Sequence, residues 1–500
     1  MPAGIDFEFS TRGANSSTPR LSQVLRVLLV GHYGEANSDR LESAPVVRVD
    51  IDNLDSLFTR FEPRITIPLD GVDMVLEPRD LDDFHPDSLL EKLPVFEALR
   101  DLRRRILDPA TSQEALKNLT VASREATGAP SEPSEPTHSS GESDEDALGR
   151  LLGKRPEQKV SAPAQPQTGL DSLIRSAVAP HIVEKQDPRV DDAVRSIDEG
   201  MASLMRNILA SEAFREIEAR WRGLYRLVQN VETGEALELR VANVSRDALM
   251  NGLPESDDKL HDSGLHEFLV ERFRQAADPE LPSLVVLDQE FGPDVHDLSL
   301  LGVLGTLADA GDFAVLAGAN PRLLGADNVQ SLGDFRRWQP PESLFPLWSI
   351  LRQASFSHRI GLVLPRVMAR LPYGRDTDAV ASFEFEELSA AEPRGFLWSS
   401  GAVAVCEALL RRFADSGWDM DPAGPLEIEE LPAFVYREAG ESRMQSCTEQ
   451  LMPESALVAA LERGVVPLAG YRTGDRAIMP RLQSIAESRQ ALRVPWHQGR

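Results

Sequence analysis

Cysteine is almost absent: Cys406 and Cys447 are the two in 500 residues. That excludes a disulfide scaffold and fits a reducing compartment. Positive charge is short as well, with 53 Lys and Arg against 80 Asp and Glu, a formal net charge of −27 and a pI near 4.8. Nucleic-acid binders draw affinity from neutralising phosphates, so this balance argues against one. An anionic membrane surface repels the chain for the same reason. Long hydrophobic runs are missing too. The most apolar long window, Leu298 to Ala319, is broken by Asp309, Asp312 and several glycines, whereas a membrane span needs about 20 consecutive apolar residues. Met1 to Ser10 has neither a basic start nor an apolar stretch, so no secretory signal is read there. The expectation is a soluble, acidic, cytoplasmic protein that inserts in no membrane and binds no nucleic acid.

Motifs of chemistry are equally hard to find. Gly149 to Lys154 lacks phosphate-loop spacing and has Arg155 where Ser or Thr belongs. Gly302, Gly305 and Gly311 do not fit a dinucleotide loop, and close packing or helix ends explain them better. His266-Glu267 lacks the second His of a zinc helix, and the nine His are scattered. No Gly-x-Ser-x-Gly elbow presents a serine. Cys406 follows the apolar run Ala402 to Val405 on the same expected helix and reads as a small buried side chain. Acidic pairs such as Asp82-Asp83 and Glu429-Glu430 say little in so acidic a chain. Neither a catalytic residue, a metal site nor a cofactor is expected.

Folding signals are plentiful by contrast. Val24 to Val30 and Val46 to Ile51 read as strands, and Ile65 to Leu69 with Val72 to Leu76 flank the hairpin-type turn Asp70-Gly71. Phe96, Leu99, Leu102 and Ile106 recur at helical spacing, predicting a helix from about Leu89 to Leu107, with Arg103 to Arg105 largely on other faces. Between Arg124 and Asp146 the chain has Pro, Ser, Gly and acidic residues but no large apolar side chain, and Pro156 to Thr168 extends it. Such a segment cannot offset its ordering entropy by burial and is expected to be a flexible linker. Beyond it, Ile197, Met201, Leu204 and Ile208 form one helical stripe. Phe214, Ile217, Trp221, Leu224 and Val228 form a second behind Ser211, an N-cap residue. Leu237 to Ala242, Leu284 to Leu287, Phe313 to Ala317 and Ile360 to Leu364 read as strands; Leu298 to Leu307 and Gly401 to Phe413 read as helices. Apolar strands alternating with helices predict an α/β fold with mixed sheets and flanking helices.

Two stretches resemble known proteins. Arg26 to Gly31, Val49 to Asp55, Pro63-Arg64 and above all Asp82-Asp83-Phe84-His85-Pro86-Asp87, then Leu93-Pro94, Leu99, Arg103 and Leu107, resemble TssB, the small subunit of the type VI secretion contractile sheath. Phe84 would anchor the turn, Pro86 would open a helix, and Asp87 would sit near its positive end. Ile208 to Phe214 and Glu218 to Leu224, with Phe214, Trp221 and Gly223, resemble the large subunit, TssC. Pro282 to Phe291, Ala317 to Pro321, Leu371 to Gly374, Phe383 to Glu387, Trp398, Gly417-Trp418, Glu430 to Pro432 and Gly464 to Leu468 follow in the family's order.

The resemblance implies two sheath-subunit-like modules packed together and joined by a disordered acidic linker: 1–122 small-subunit-like, 123–168 linker, 169–230 the N-terminal helices and 231–500 the core of a large-subunit-like module. It also implies that the chain stops short of the family's usual C-terminal region. The implied role is a structural sheath subunit working by assembly and packing rearrangement. Its partners would be further copies or other sheath subunits, an inner-tube protein, baseplate proteins and a AAA+ disassembly ATPase. Gly169 to Val178 occupies the place of the family's ATPase-recognition helix. Leu170, Leu173, Ile174 and Val178 make one apolar stripe there, fit for a partner groove or for packing on the large module itself. An accessory adaptor or cap of the sheath, and an enzyme whose site is assembled from distant loops, are the competing readings.

Overall fold

A computed structural model describes residues 24–35, 39–69, 71–108, 110–115, 190–275, 281–339, 345–388, 395–421, 423–438 and 440–495. The expected linker, 123–168, and the stripe Leu170, Leu173, Ile174 and Val178 lie outside them. The chain divides into two compact units: residues 1–67, 75–89 and 206–500 make the first, and residues 68–74 and 90–205 the second.

The first unit is organised by a strand buried along its whole length, Leu25–Gly31 (β1). Val46–Arg48 (β2) follows; the hairpin strands Ile65–Leu69 (β3) and Val72–Leu76 (β4), turned at Gly71 with φ of +82°, have their tip, residues 68–74, in the second unit. Leu237–Asn243 (β5), Leu284–Phe291 (β6), Ala314–Ala319 (β7) and Ile360–Leu364 (β8) are the apolar runs expected of a sheet covered on both faces. With the short strand Val466–Pro467 they form a seven-stranded sheet in the order Val466–Pro467, β8, β7, β6, β1, β5, β2. Neighbours run parallel except β2, which is antiparallel to β5.

β1 therefore sits inside a sheet whose other long strands begin more than 200 residues later. It pairs β5 from Leu25↔Leu237 to Gly31↔Asn243 and β6 from Val27↔Leu284 to Val30↔Leu287. Its one charged residue, Arg26, stays within the sheet by pairing with Glu238 on β5 at 3.6 Å.

Helices complete the layers. Val295–Gly311 packs on the face that carries Val285, Leu287, Val315 and Leu362. Gly305 lets it approach closely, since a Cβ there would stand 2.3 Å from Phe356 Cδ2. Gly401–Ser416 lies against β6, β7 and β8, with Gly401 beside Val363, whose side chain points to the opposite face.

Two expected elements end early. The helix expected over Leu89–Leu107 is two helices, Pro86–Lys92 (α1) and Pro94–Leu107 (α2). Pro94 has no N–H to continue the first helix, and its ring holds Leu93 extended at φ −89° and ψ 124°. The strand expected over Val46–Ile51 stops at Arg48, because the Asp50 carboxylate accepts the N–H groups of Asp52 and Asn53 and turns the chain.

In the second unit, α2 and the first part of Val190–Ala210 (α3) are tied by Arg103, which donates to Asp198 at 2.7 and 3.2 Å. Arg103, the first of the arginines Arg103 to Arg105 read from the sequence, is thus committed within the chain.

Candidate functional site: an interlock between the N-terminal segment and the sheet

Ser211 accepts the Phe214 N–H at 3.3 Å and starts the helix Glu212–Asn230 (α4). Its apolar stripe presents Trp221, 1% exposed, to the N-terminal segment. The indole stacks on Phe58 at 3.7 Å between ring centres and 15° between planes, meets Tyr33 edge-on at 5.7 Å and Phe61 at 6.3 Å. Its N–H donates to the Tyr33 carbonyl at 2.9 Å. Asn243, at the end of β5, takes the N–H groups of Tyr33 and Gly34 at 2.9 and 3.2 Å and returns its own amide to Gly34 O. The backbone of the loop leaving β1 is thus held from both sides by the side chains of Trp221 and Asn243.

One turn before Trp221 on α4 lies a buried charge cluster. The Glu218 carboxylate is inaccessible to solvent and accepts Arg370 Nε at 2.6 Å, Arg370 Nη2 at 3.1 Å and Arg222 Nε at 2.8 Å. Arg370 also donates to Glu387 at 2.7 and 3.1 Å and lies over the Tyr373 ring at 4.0 Å. Glu387 takes the Tyr373 N–H at 2.8 Å, and Arg222 reaches the Tyr373 hydroxyl at 2.9 Å. Burial pushes the Glu218 carboxyl up, but Arg370 and Arg222 outweigh it and hold it below its ordinary value. Burial likewise raises the Tyr373 phenol well beyond its usual range. Two carboxylates face two guanidiniums with nearly every polar atom used, so the cluster fastens elements together.

The Asp82–Asp87 patch closes the interlock. Phe84 is fully buried and meets Phe214 edge-on at 5.7 Å. Pro86, also buried, is the first residue of α1. His85 sets its ring edge-on to Tyr373 at 4.9 Å. Asp87 accepts the N–H groups of Ala381 and Ser382 at 3.0 and 3.4 Å and the Ser382 hydroxyl at 3.1 Å. Gly223 lies beside Ser399 and Val403, where a Cβ would make ordinary contact. Trp398 is buried against Phe396, whereas Trp418 is 37% exposed and touches Phe413 edge-on.

The structure thus brings Phe84, Pro86, Phe214, Trp221 and Gly223 into one region, with Trp398 next to the residue that Gly223 faces. Arg370, Arg222, Tyr373 and Glu387 were not singled out as a cluster from the sequence. The signal available was the Glu218–Arg222 spacing of four on a helix, which favours an ion pair. The two thiols are poor nucleophiles: burial pushes Cys406 far up and Cys447 up to about 11, so both stay protonated at neutral pH.

A mostly parallel sheet that takes an inner strand from a distant N-terminal segment, fastened by buried ion pairs, is built to hold chain segments together. Residues 191–486, more than half of the chain, match the family of the VipB (EvpB/VC_A0108) tail sheath N-terminal domain. The chain belongs to this family, which is one of structural sheath proteins and not of enzymes. It is similar to the type VI secretion system sheath protein TssC1 of Pseudomonas aeruginosa, 30% identical over 335 residues that make up 63% of this chain and 66% of that relative. The chain thus spans just under two thirds of the relative's length. No helix among the described residues is long and apolar enough to cross a membrane.

Proposed function

We propose that this chain is a structural subunit of a type VI secretion contractile sheath, in which a small-subunit-like segment (residues 1–122) and a large-subunit-like region (residues 169–500) are carried on one chain. The observation that carries the reading is the placement of β1 between β5 and β6. Removing β1 would leave two long inner strands with open edges, which invite aggregation. Supplying β1 in cis raises its effective concentration to about millimolar values and fixes one-to-one stoichiometry. A subunit of this kind works by assembly in the cytoplasm and by rearrangement of packed surfaces. Its partners are further copies or other sheath subunits, with an inner-tube protein, baseplate proteins and a AAA+ ATPase acting on the assembled tube. The stripe Leu170, Leu173, Ile174 and Val178 is the segment assigned to the ATPase.

Electron microscopy of the purified chain tests the reading. Rings, sheets or tubes that build up with concentration, alone or with standard sheath subunits, are expected. A discrete particle that never enters a sheath under either condition overturns it and favours the adaptor or cap. A peptide spanning Thr168 to Ile182 should bind the N-terminal domain of the ATPase, with Leu173→Asp abolishing binding; no binding refutes the stripe's assignment alone.

A further inference from the structure

Apart from the large sheet, Phe434–Glu438 (β9) and Glu441–Gln445 (β10) form a hairpin that is a sheet of its own. It is paired from Phe434↔Gln445 to Glu438↔Glu441 and turned at Gly440 with φ of +86°. Neither outer edge meets a third strand among the described residues. Two strands alone are marginal in water, and open edges invite a further strand. Near the turn, Glu441, Ser442 and Arg443 are all exposed, so both faces of β10 are open there as well.

The turn decides which backbone groups are open. Glu438 and Glu441 flank it directly, so their backbones bond each other, as the ends of a β-turn do. Bonding then alternates along β10. Arg443 and Gln445 bond inward, while Ser442 and Met444 turn their N–H and C=O groups to the outer edge. No backbone hydrogen bond from elsewhere among the described residues reaches either of them. Glu441 and Arg443 stand on either side of Ser442 and share one face of the strand.

We propose that β10 pairs with β10 of a second copy of this chain, antiparallel about a two-fold axis at Ser442. The two Ser442 residues exchange N–H and C=O bonds, and Glu441 of each copy faces Arg443 of the other. These charged positions fall on non-hydrogen-bonded pairs, where side chains come closest. Opposite charges set directly across favour such a pairing, and like charges oppose it. Neighbouring registers fail on this count: centred on residue 441 the two Glu441 meet, and centred on 443 the two Arg443 meet. The charges thus turn away a general strand and accept this one. The outer edge of β9 has no such match. Its opposite charges occupy adjacent positions, 437 and 438, and a two-fold register never sets adjacent positions across from each other. Arg443 also has a partner within its own chain, and its forked guanidinium has donors enough for a second carboxylate. A two-fold contact closes on itself, so it yields dimers and no longer arrays. The contact is small and tells most where copies are already held close. It rests on the hairpin alone, whether or not the chain builds a sheath.

The test traps the pair as a disulfide in the full chain. Hydrogen-bonded antiparallel pairs lie about 5.5 Å apart at Cα, inside the roughly 4.4–6.8 Å that a disulfide spans. Cys406 and Cys447 are buried and do not compete. Under mild oxidant, Ser442→Cys should form a dimer on a non-reducing gel at least about fivefold faster than Arg437→Cys, which sits on the outer edge of β9. Added to Ser442→Cys, Glu441→Arg or Arg443→Glu alone should slow trapping at least about fivefold, because attractive pairs become repulsive. Mixing these two variants, one of them carrying a size tag, should restore trapping between them. Exchanging both charges in one chain should restore it too. Circular dichroism checks that each variant keeps the parent's fold, as expected where the changed side chains are exposed. Trapping of Ser442→Cys no faster than of Arg437→Cys overturns the proposal. So does trapping that ignores the charge changes, or a mixture that pairs no better than its components.

Discussion

Trp221→Ala is the perturbation that tests the interlock most directly. The indole is 1% exposed, its ring lies on Phe58 at 3.7 Å, and its N–H saturates the buried Tyr33 carbonyl at 2.9 Å. Removing a buried Trp side chain costs about 3–5 kcal/mol through lost transfer energy and the cavity left behind. Orphaning the Tyr33 carbonyl adds about 1–3 kcal/mol. These terms overlap, because a cavity beside the carbonyl can admit water, so the expected loss is about 4–6 kcal/mol, a large part of an ordinary domain's 5–15 kcal/mol.

The loss should also be local. Tyr33, Phe58 and Phe61 all belong to the N-terminal segment, so the variant should free that segment before the rest of the first unit unfolds. Urea denaturation gives the magnitude, and limited proteolysis below the transition gives the location, with early cuts within residues 24–89. Trp221→Phe keeps a ring on Phe58 and loses the donor and some volume, so it should fall between parent and alanine variant, at about 2–3 kcal/mol. A loss under about 1 kcal/mol for Trp221→Ala, or identical losses for the two variants, refutes the reasoning.

Arg370→Met should cost about 3–5 kcal/mol, because it leaves Glu218 and Glu387 buried with one fewer cation; adding Glu218→Gln should recover part of it, and a double variant no more stable than the single one contradicts the cluster as drawn. Asp288 is buried and its carboxyl is pushed above the ordinary value by burial, with Arg220 opposing. A raised folded pKa gives stability that is present below the unfolded pKa and lost as pH rises through the folded one. Asp288→Asn should therefore raise the melting temperature more at pH 7 than at pH 4; a larger gain at pH 4 reverses the sign and defeats the claim. Gly305→Ala should cost about 1–3 kcal/mol, since the new methyl meets Phe356, and a neutral result in urea would mean that the helix can shift. A protease site placed within residues 123–168 should yield fragments that co-elute at micromolar concentration after cutting, because β1 pairs on both sides; separate peaks count against the pairing.

The elements themselves were legible locally. The run Leu25–Gly31 had to be a doubly covered strand, because seven residues with one charge offer no polar face. Ser211 and the stripe through Trp221 marked a helix and its buried face, since a capping oxygen and a 3.6-residue period act within a few turns. Pro94 could have been read as a helix break from the sequence alone, and was overridden by the apolar period on either side of it. The sheath family of residues 191–486 was legible too, because many short matches kept their order along that stretch.

What one dimension does not hold is partnership across distance. Strand propensity gives no order, so only the folded chain decides that β1 lies between β5 and β6 rather than at an edge. Glu218 and Arg370 are 152 positions apart, and in so acidic a chain neither stands out as half of a buried pair. Whether a carboxylate is solvated, paired or stranded depends on which atoms surround it. A carboxylate is therefore a fastening at Glu218, a surface charge at Glu290 and, at Asp288, a group whose burial outweighs the opposing Arg220, and the difference is made by packing.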